Sequence, residues 1–267
     1  MRVDGLGNDV DAVWSLEVGD QKFLDLVASC DFDLYCHHAA EMSDYRSWNF
    51  DPLEATSKNT RSARAILRSL SDRGCRRLIM TGSVFEPYEG EGDAGSRAFN
   101  PYGLSKHLSF EVYRMEAELA GVHIDKFVIP NPFGAFEEPR FTSYLVKEWK
   151  EGRVPGCRTP DYVRDNIPVD LLALNYQNFC EQGVIGQVVR RASPSGYVET
   201  QGAFANRVAV EFGRRFGRSV EVELERQTAF SEPLVRVNNE PQMLATQTWS
   251  EGHFWDMAVD YWMTKTS

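Results

Sequence analysis

Short apolar runs alternate with longer stretches of helical spacing along the first half of the chain. Four segments, Ala12 to Leu16, Phe32 to His37, Arg77 to Thr81 and His123 to Ile129, are rich in Val, Ile, Leu or aromatic residues. Such runs read as strands buried on both faces, because a parallel sheet covered by helices leaves no polar face. Between them, Asp51 and Pro52 form a helix start, and Ile66, Leu67 and Leu70 make an apolar face that ends at Gly74. The spacing therefore predicts one helix from Asp51 to about Leu70. A second is predicted from about Tyr102 to Ala120, with Gly121 as its left-handed stop.

After Asn131 the regular alternation gives way to loops, short helices and isolated strands, including Val184 to Val189 and Val220 to Leu224. The apolar residues from Trp255 to Trp262 are spaced as in a last amphipathic helix. Alternating strands and helices define an α/β fold with a parallel sheet. We therefore expect a Rossmann-like domain over residues 1–130 and a smaller C-terminal α/β subdomain over 131–267, part of which returns to the core.

Hydrophobic residues make up 42% of the 267, enough for a substantial core. The net charge of −10, with no run of five basic residues, argues against nucleic acid or an anionic membrane as partner. Any anionic ligand must be held by local arginines. Five cysteines without a C-x-x-C pair point to a reducing compartment. No apolar run approaches the ~20 residues that span a bilayer, so a cytoplasmic location is expected. No His/Cys/carboxylate spacing suggests a metal site.

The sharpest chemical feature is Tyr102-Gly-Leu-Ser-Lys106, which on a helix places phenol and ammonium on one face. A phenol with a pKa of roughly 10 becomes useful near neutrality when a fixed cation lowers that value. Tyr102 can then exchange a proton with a sugar hydroxyl or carbonyl. Upstream, Leu78-Ile-Met-Thr-Gly-Ser-Val-Phe85 reads as a buried strand that ends in hydroxyl residues, where open parallel sheets place their ligands. Thr81 or Ser83 is the candidate partner of the reacting oxygen; simple turn capping is the alternative.

The order Cys36-His-His-Ala-Ala40, Asp51-Pro52, Asn59, Thr81-Gly-Ser83, Tyr102-x-x-x-Lys106, Asn131-Pro-Phe-Gly134 and Val163-Arg-Asp-Asn-Ile-Pro-Val169 resembles the extended short-chain dehydrogenase/reductases of the NAD-dependent epimerase/dehydratase family. The resemblance covers roughly residues 12 to 175. It implies an enzyme that epimerises, dehydrates or reduces a nucleotide-diphosphate sugar with NAD or NADP. Tyr102 matches the acid/base tyrosine, Lys106 its lysine, and Thr81 the catalytic Ser or Thr, with Ser83 in reserve. Asp20, Ala39, Ala40 and Asn59, together with Tyr102 and Lys106, match residues that line the cofactor. Asn131, Arg164 and Arg236 match residues that hold the substrate, the arginines by clamping its diphosphate. A guanidinium suits that task because it binds phosphate oxygens in a bidentate manner. A buried ion pair with Asp165 or Glu232 is the alternative reading of these arginines. The resemblance also implies a homodimer through the helices that carry Asn59 and Tyr102.

Members of this family open with a strand and a Gly-x-x-Gly-x-x-Gly turn that cradles the pyrophosphate. The early glycines here are Gly5, Gly7 and Gly19, and Asp4-Gly-Leu-Gly-Asn-Asp lacks the flanking strand and helix. We therefore expect an N-terminally truncated sheet that starts near the family's second strand, and poor NAD or NADP binding. Leu16-Glu-Val-Gly-Asp20 then resembles the strand whose aspartate meets adenine. A second functional reading follows: a cofactor-independent descendant, either a proton-transfer isomerase or lyase, or a non-catalytic sugar-nucleotide binder. Two further features stay open. Glu137 and Glu138 read as an acid/base pair or as an exposed loop, and Glu86 to Phe99 as a lid or a solvated loop.

Overall fold

The computed structural model describes residues 10–93, 97–137, 140–183, 189–241, 245–246 and 249–265. Its principal elements begin with α1 (Gln21–Ser29), β1 (Tyr35–His37), α2 (Pro52–Asn59), α3 (Ala63–Asp72), β2 (Arg77–Ser83), β3 (Glu91–Gly92), α4 (Pro101–Ala120) and β4 (His123–Ile129). They continue with β5 (Asn131–Phe133), α5 (Phe141–Lys150), β6 (Gly156–Cys157), β7 (Val163–Pro168), α6 (Val169–Glu181), β8 (Arg191–Ala192) and β9 (Pro194–Ser195). The last are β10 (Tyr197–Thr200), α7 (Gln201–Phe216), β11 (Glu223–Leu224), β12 (Val235–Val237) and α8 (Glu251–Lys265). Two compact units result. The first is drawn from Met1–Glu86, Asn100–Phe127 and Gln182–Arg191, the second from Pro87–Phe99, Val128–Glu181 and Ala192–Ser267.

The first unit is built on a sheet of order β1-β2-β4-β8, in which β1 and β2 run parallel with His37 opposite Met80. Its core joins Ile66, Leu67 and Leu70 of α3, Leu78 and Met80 of β2, and Phe110, Tyr113 and Ala117 of α4. The apolar face expected before Gly74 is therefore the one that packs on the sheet. α4 starts at Pro101, and Gly121 at φ +67° ends it in the left-handed conformation.

Two expectations are corrected here. Residues 12–16 form no strand: Ser15 has φ +61°, which breaks an extended run, and Val13 and Trp14 are more than half exposed. A five-residue apolar run carries too little periodicity to separate a strand from a loop. The single helix expected from Asp51 to Leu70 is two, α2 and α3, interrupted at Ser62 with φ +59°. The break docks on Gly19, where a Cβ would lie 2.2 Å from the Arg61 carbonyl oxygen, and the Ser62 hydroxyl donates to the Gly19 carbonyl at 2.8 Å. That contact is tertiary, so helical spacing could not announce it.

The second unit holds a sheet of order β10-β7-β12-β3, with β5 also pairing with β7. Phe133, Phe204, Phe254 and Trp255 pack edge to face or tilted at its centre. The expected last helix is α8, whose Phe254, Trp255, Ala258, Val259 and Trp262 form one buried face. Of Val220 to Leu224 only Glu223–Leu224 is a strand, parallel to β6. Of Val184 to Val189, residues 184–188 lie outside the described residues.

Candidate active site

In the first unit the site forms where β1 and β2 end and α4 begins. Asn100 caps α4 by accepting from the Gly103 N–H at 2.8 Å, and Pro101 occupies the first turn, where its missing N–H costs nothing. The next residue with consequence is Gly103: a Cβ there would lie 2.0 Å from the Phe85 carbonyl oxygen. Only glycine lets the first turn of α4 approach the chain that follows β2 so closely. Tyr102 is 8% exposed, with its ring among Tyr45 at 5.2 Å and Phe50 and Phe85 at 6.2 Å, the latter two edge-on.

Lys106 lies one turn on and is 3% exposed. Among the described residues no hydrogen bond or ion pair reaches its ammonium. Burial pushes its pKa below the ordinary lysine value; the Glu86 carboxylate opposes that shift and Lys126 adds to it. The charge on Lys106 is thus set by its surroundings.

The two candidate hydroxyls separate. Ser83 accepts from the Phe85 N–H at 3.3 Å and its own N–H donates to Glu86 Oε1 at 2.7 Å, which is turn capping. Thr81 Oγ1 instead lies 2.5 Å from His38 Nδ1. Asn59 is buried and committed to protein: its Oδ1 accepts from the Glu41 N–H at 2.6 Å, and its Nδ2 donates to Ser109 Oγ at 3.2 Å. It ties the segment beyond β1 to α4. Ala39 and Ala40 sit in that segment, exposed and half-buried respectively.

Asp20 is not at a strand end. It is the N-cap of α1, where Oδ1 accepts from the Phe23 N–H at 2.7 Å and Oδ2 from the Glu17 N–H at 3.4 Å. Residues able to face a cofactor in this unit are the buried Tyr102 and Lys106, with the small Ala39 and Ala40 in the segment beyond β1, while Asp20 accepts two backbone N–H groups at the start of α1.

One pair escaped the sequence reading. Glu86 Oε2 and Lys126 Nζ are 2.6 Å apart with both side chains fully buried, against Gly82 and Ser83 at the end of β2. Gly82 makes room for it, since a Cβ there would meet Lys126 Cε at 2.7 Å. The available signal was a lysine inside the apolar run His123 to Ile129, because a charge in a buried strand requires a partner.

In the second unit Arg164 and Arg236 are brought together as direct neighbours in the parallel ladder of β7 and β12. Arg164 stacks over the Tyr162 ring at 4.4 Å and donates to Glu232 Oε2 at 2.9 Å and to the carbonyls of Val163, Pro233 and Leu234. Of the two acidic partners considered, Glu232 is the one it takes. Asp165 accepts instead from the Gly196 and Asn238 N–H groups, and burial raises its pKa. Arg236 lies over the Phe99 ring at 4.3 Å. Asn131 opens β5 opposite Asn166, half-buried. A cavity of about 560 Å³ is lined by Tyr144, Cys157, Arg158, Tyr162, Arg164 and Gln201.

Glu86 to Phe99 is more than a solvated loop, since β3 pairs with β12 and the Asp93 carboxylate accepts from the Leu234 and Val235 N–H groups at 3.0 Å. Glu137 accepts from the Thr142 hydroxyl, and Glu138 lies outside the described residues. Among the described residues no helix is long and apolar enough to cross a membrane.

A Rossmann-like α/β fold with a buried Tyr/Lys pair on the helix after its hydroxyl-bearing strand defines a short-chain dehydrogenase/reductase of the extended type. Residues 9–170 match the model of the NAD dependent epimerase/dehydratase family, and the chain belongs to that family. The structure is similar to a UDP-glucose 4-epimerase of Thermotoga maritima solved with UDP-glucose, with a TM-score of 0.69 and 15% identity over 94% of this chain and 84% of that one. A UDP-glucose 4-epimerase of Thermus thermophilus, solved with NAD, has a TM-score of 0.69 and 14% identity over the same shares. A UDP-glucuronic acid 4-epimerase of Bacillus cereus, in complex with UDP-glucuronic acid and NAD, has a TM-score of 0.65 and 13% identity over 90% of this chain and 78% of that one. No curated protein matches the chain in sequence.

Proposed function

We propose that the protein modifies a nucleotide-diphosphate sugar, a UDP-sugar first among them, by epimerisation, dehydration or reduction, with Tyr102 as acid/base and Lys106 as its electrostatic partner. The observation that carries this reading is the burial of Tyr102 and Lys106 one turn apart on α4, in the same unit as the Thr81 hydroxyl. An ammonium held dry beside a phenol favours the phenolate, so Tyr102 gives and takes a proton near neutral pH. Thr81 hydrogen-bonds the reacting oxygen. NAD or NADP, when bound, supplies the hydride acceptor that no side chain can replace. Arg164, Arg236 and Asn131 are the candidate anion-binding and polar contacts of the second unit, and arginine suits phosphate there because its donors are planar and paired. The similar structures include UDP-sugar 4-epimerases, which supports UDP-sugars as the class to try.

The test is incubation of the chain with UDP-glucose and NAD, following sugar epimers or dehydration products by NMR. Tyr102→Phe should lower turnover by about 10²-fold or more, the scale of general acid/base catalysis. Full turnover in that variant would refute the assignment.

A second reading, a cofactor-independent descendant, is favoured by the place of Asp20, which caps α1 instead of ending a strand. It retains Tyr102, Lys106 and Thr81 for proton transfer alone, or for binding. Calorimetry separates the two: NAD binding at about micromolar Kd, roughly −8 kcal/mol, supports the dehydrogenase-type reading, and its absence the descendant. Five free thiols support a reducing, cytoplasmic compartment. The exposed Leu104, Val112, Met115 and Leu119 of α4, with Leu53 of α2, support a homodimer through these helices.

A further inference from the structure

His38 has no task in the roles assigned to Tyr102, Lys106 and Thr81, yet its Nδ1 lies 2.5 Å from Thr81 Oγ1. The two come together because β1 and β2 are parallel with His37 opposite Met80, so the next residues, His38 and Thr81, stand side by side at the end of the sheet. Thr81 is buried and His38 is exposed. The couple therefore joins an interior hydroxyl to a ring with access to water. The adjacent His37 is unlike it: 2% exposed, with Nδ1 committed to the Tyr35 hydroxyl at 3.0 Å. Among the groups that face His38 are His37 from β1, Thr81 from β2 and Lys106 from α4. Desolvation of the part of the ring that faces the protein, then the Lys106 charge, lower its pKa from the ordinary histidine value. Its ring is then neutral at neutral pH and keeps a lone pair for a hydroxyl proton.

We infer that His38 is the proton-exchanging partner of Thr81, making the Thr81–His38 couple a second acid/base route beside Tyr102. When Thr81 Oγ1 takes a proton from the substrate, its own O–H bond breaks and the His38 Nδ1–H bond forms. One proton has moved at each centre, the substrate keeps the electron pair of the broken bond, and the imidazolium returns its proton in the reverse sense or to water. Because it acts through Thr81, His38 is a positioning residue. Two routes suit a reaction that removes a proton at one substrate atom and delivers one at another, as dehydration does. The inference rests on the proposed function.

The test has two arms on the full chain. In the first, the His38 ring is titrated by heteronuclear NMR in the wild type, in Thr81→Val and in Thr81→Ser. The midpoint should move in Thr81→Val and return in Thr81→Ser; a midpoint unmoved by Thr81→Val overturns the couple whatever the turnover. In the second, His38→Gln is assayed with a UDP-sugar and NAD across pH. The expectation is a loss of about tenfold or more in kcat with KM little changed, and an altered acidic limb of the kcat profile. An unchanged kcat and profile overturns the inference. Wild-type protein without turnover on any UDP-sugar, but with His38 responding to Thr81→Val, faults the proposed reaction and leaves the exchange standing.

Discussion

Arg164 and Arg236 stand opposite one another across the parallel ladder of β7 and β12. Like charges placed so repel, and an anion between or beside them relieves the cost. Arg164 already holds Glu232 at 2.9 Å, a carboxylate 44% exposed that a phosphate can replace. Changing either arginine to lysine keeps the charge and removes the paired donors. UDP binding measured by calorimetry should weaken about tenfold, or ~1.4 kcal/mol, in each variant. Equal UDP affinity in wild type and both variants would show that these arginines serve the sheet alone.

His37 makes stability depend on pH. Burial, followed by the charges of Lys106 and His38, lowers its pKa to about 3 in the folded protein. The unfolded chain titrates near 6.5, so between that value and about 3 only the unfolded state binds the proton. The stabilisation is complete above pH ~6.5 and is lost as pH falls, by about 1.4 kcal/mol per unit within the window. Urea denaturation from pH 7 to pH 5 should show that slope, and His37→Phe should flatten it. A slope identical in the variant would rule His37 out as its source.

The Glu86–Lys126 pair is a brace. Glu86 receives the Ser83 N–H with one oxygen and Lys126 with the other, both side chains having no exposed surface. Removing one charge strands the other in the interior, so Glu86→Gln should cost about 3–5 kcal/mol. Glu86→Gln combined with Lys126→Met should recover most of that in denaturant unfolding. No recovery would mean that the turn, rather than the buried charge, sets the cost.

The apolar stripe on α4 predicts association. Leu119 is 68% and Met115 49% exposed, on the face that also carries Leu104 and Val112. Light scattering at micromolar concentration should give twice the chain mass. Leu119→Glu together with Met115→Glu should halve it, because two charges per chain cannot be buried without partners. A wild-type monomer at that concentration contradicts the dimer.

Much of the first unit was legible because its signals are local. The strand His123 to Ile129 and the helix from Tyr102 to Ala120 show in apolar periodicity and in a glycine stop, and the Tyr102/Lys106 pair follows from helical spacing alone. The illegible parts are contacts between distant residues. Ser62 breaks a helix because Gly19 packs against it, and Asp20 caps α1 where a strand end was expected. The Glu86 to Phe99 segment joins β12 through Asp93, a partnership 141 and 142 residues long.

By itself the chain of residues determined the strand His123 to Ile129, the helix α4 and which two groups share its face, since backbone propensity and side-chain period act within a few neighbours. Tertiary structure alone decided that Thr81 meets His38 while Ser83 caps a turn, and that Lys126 finds Glu86. Those pairings depend on strand register and on the desolvation of charges brought together from far along the chain, and neither quantity exists until the sheet has formed.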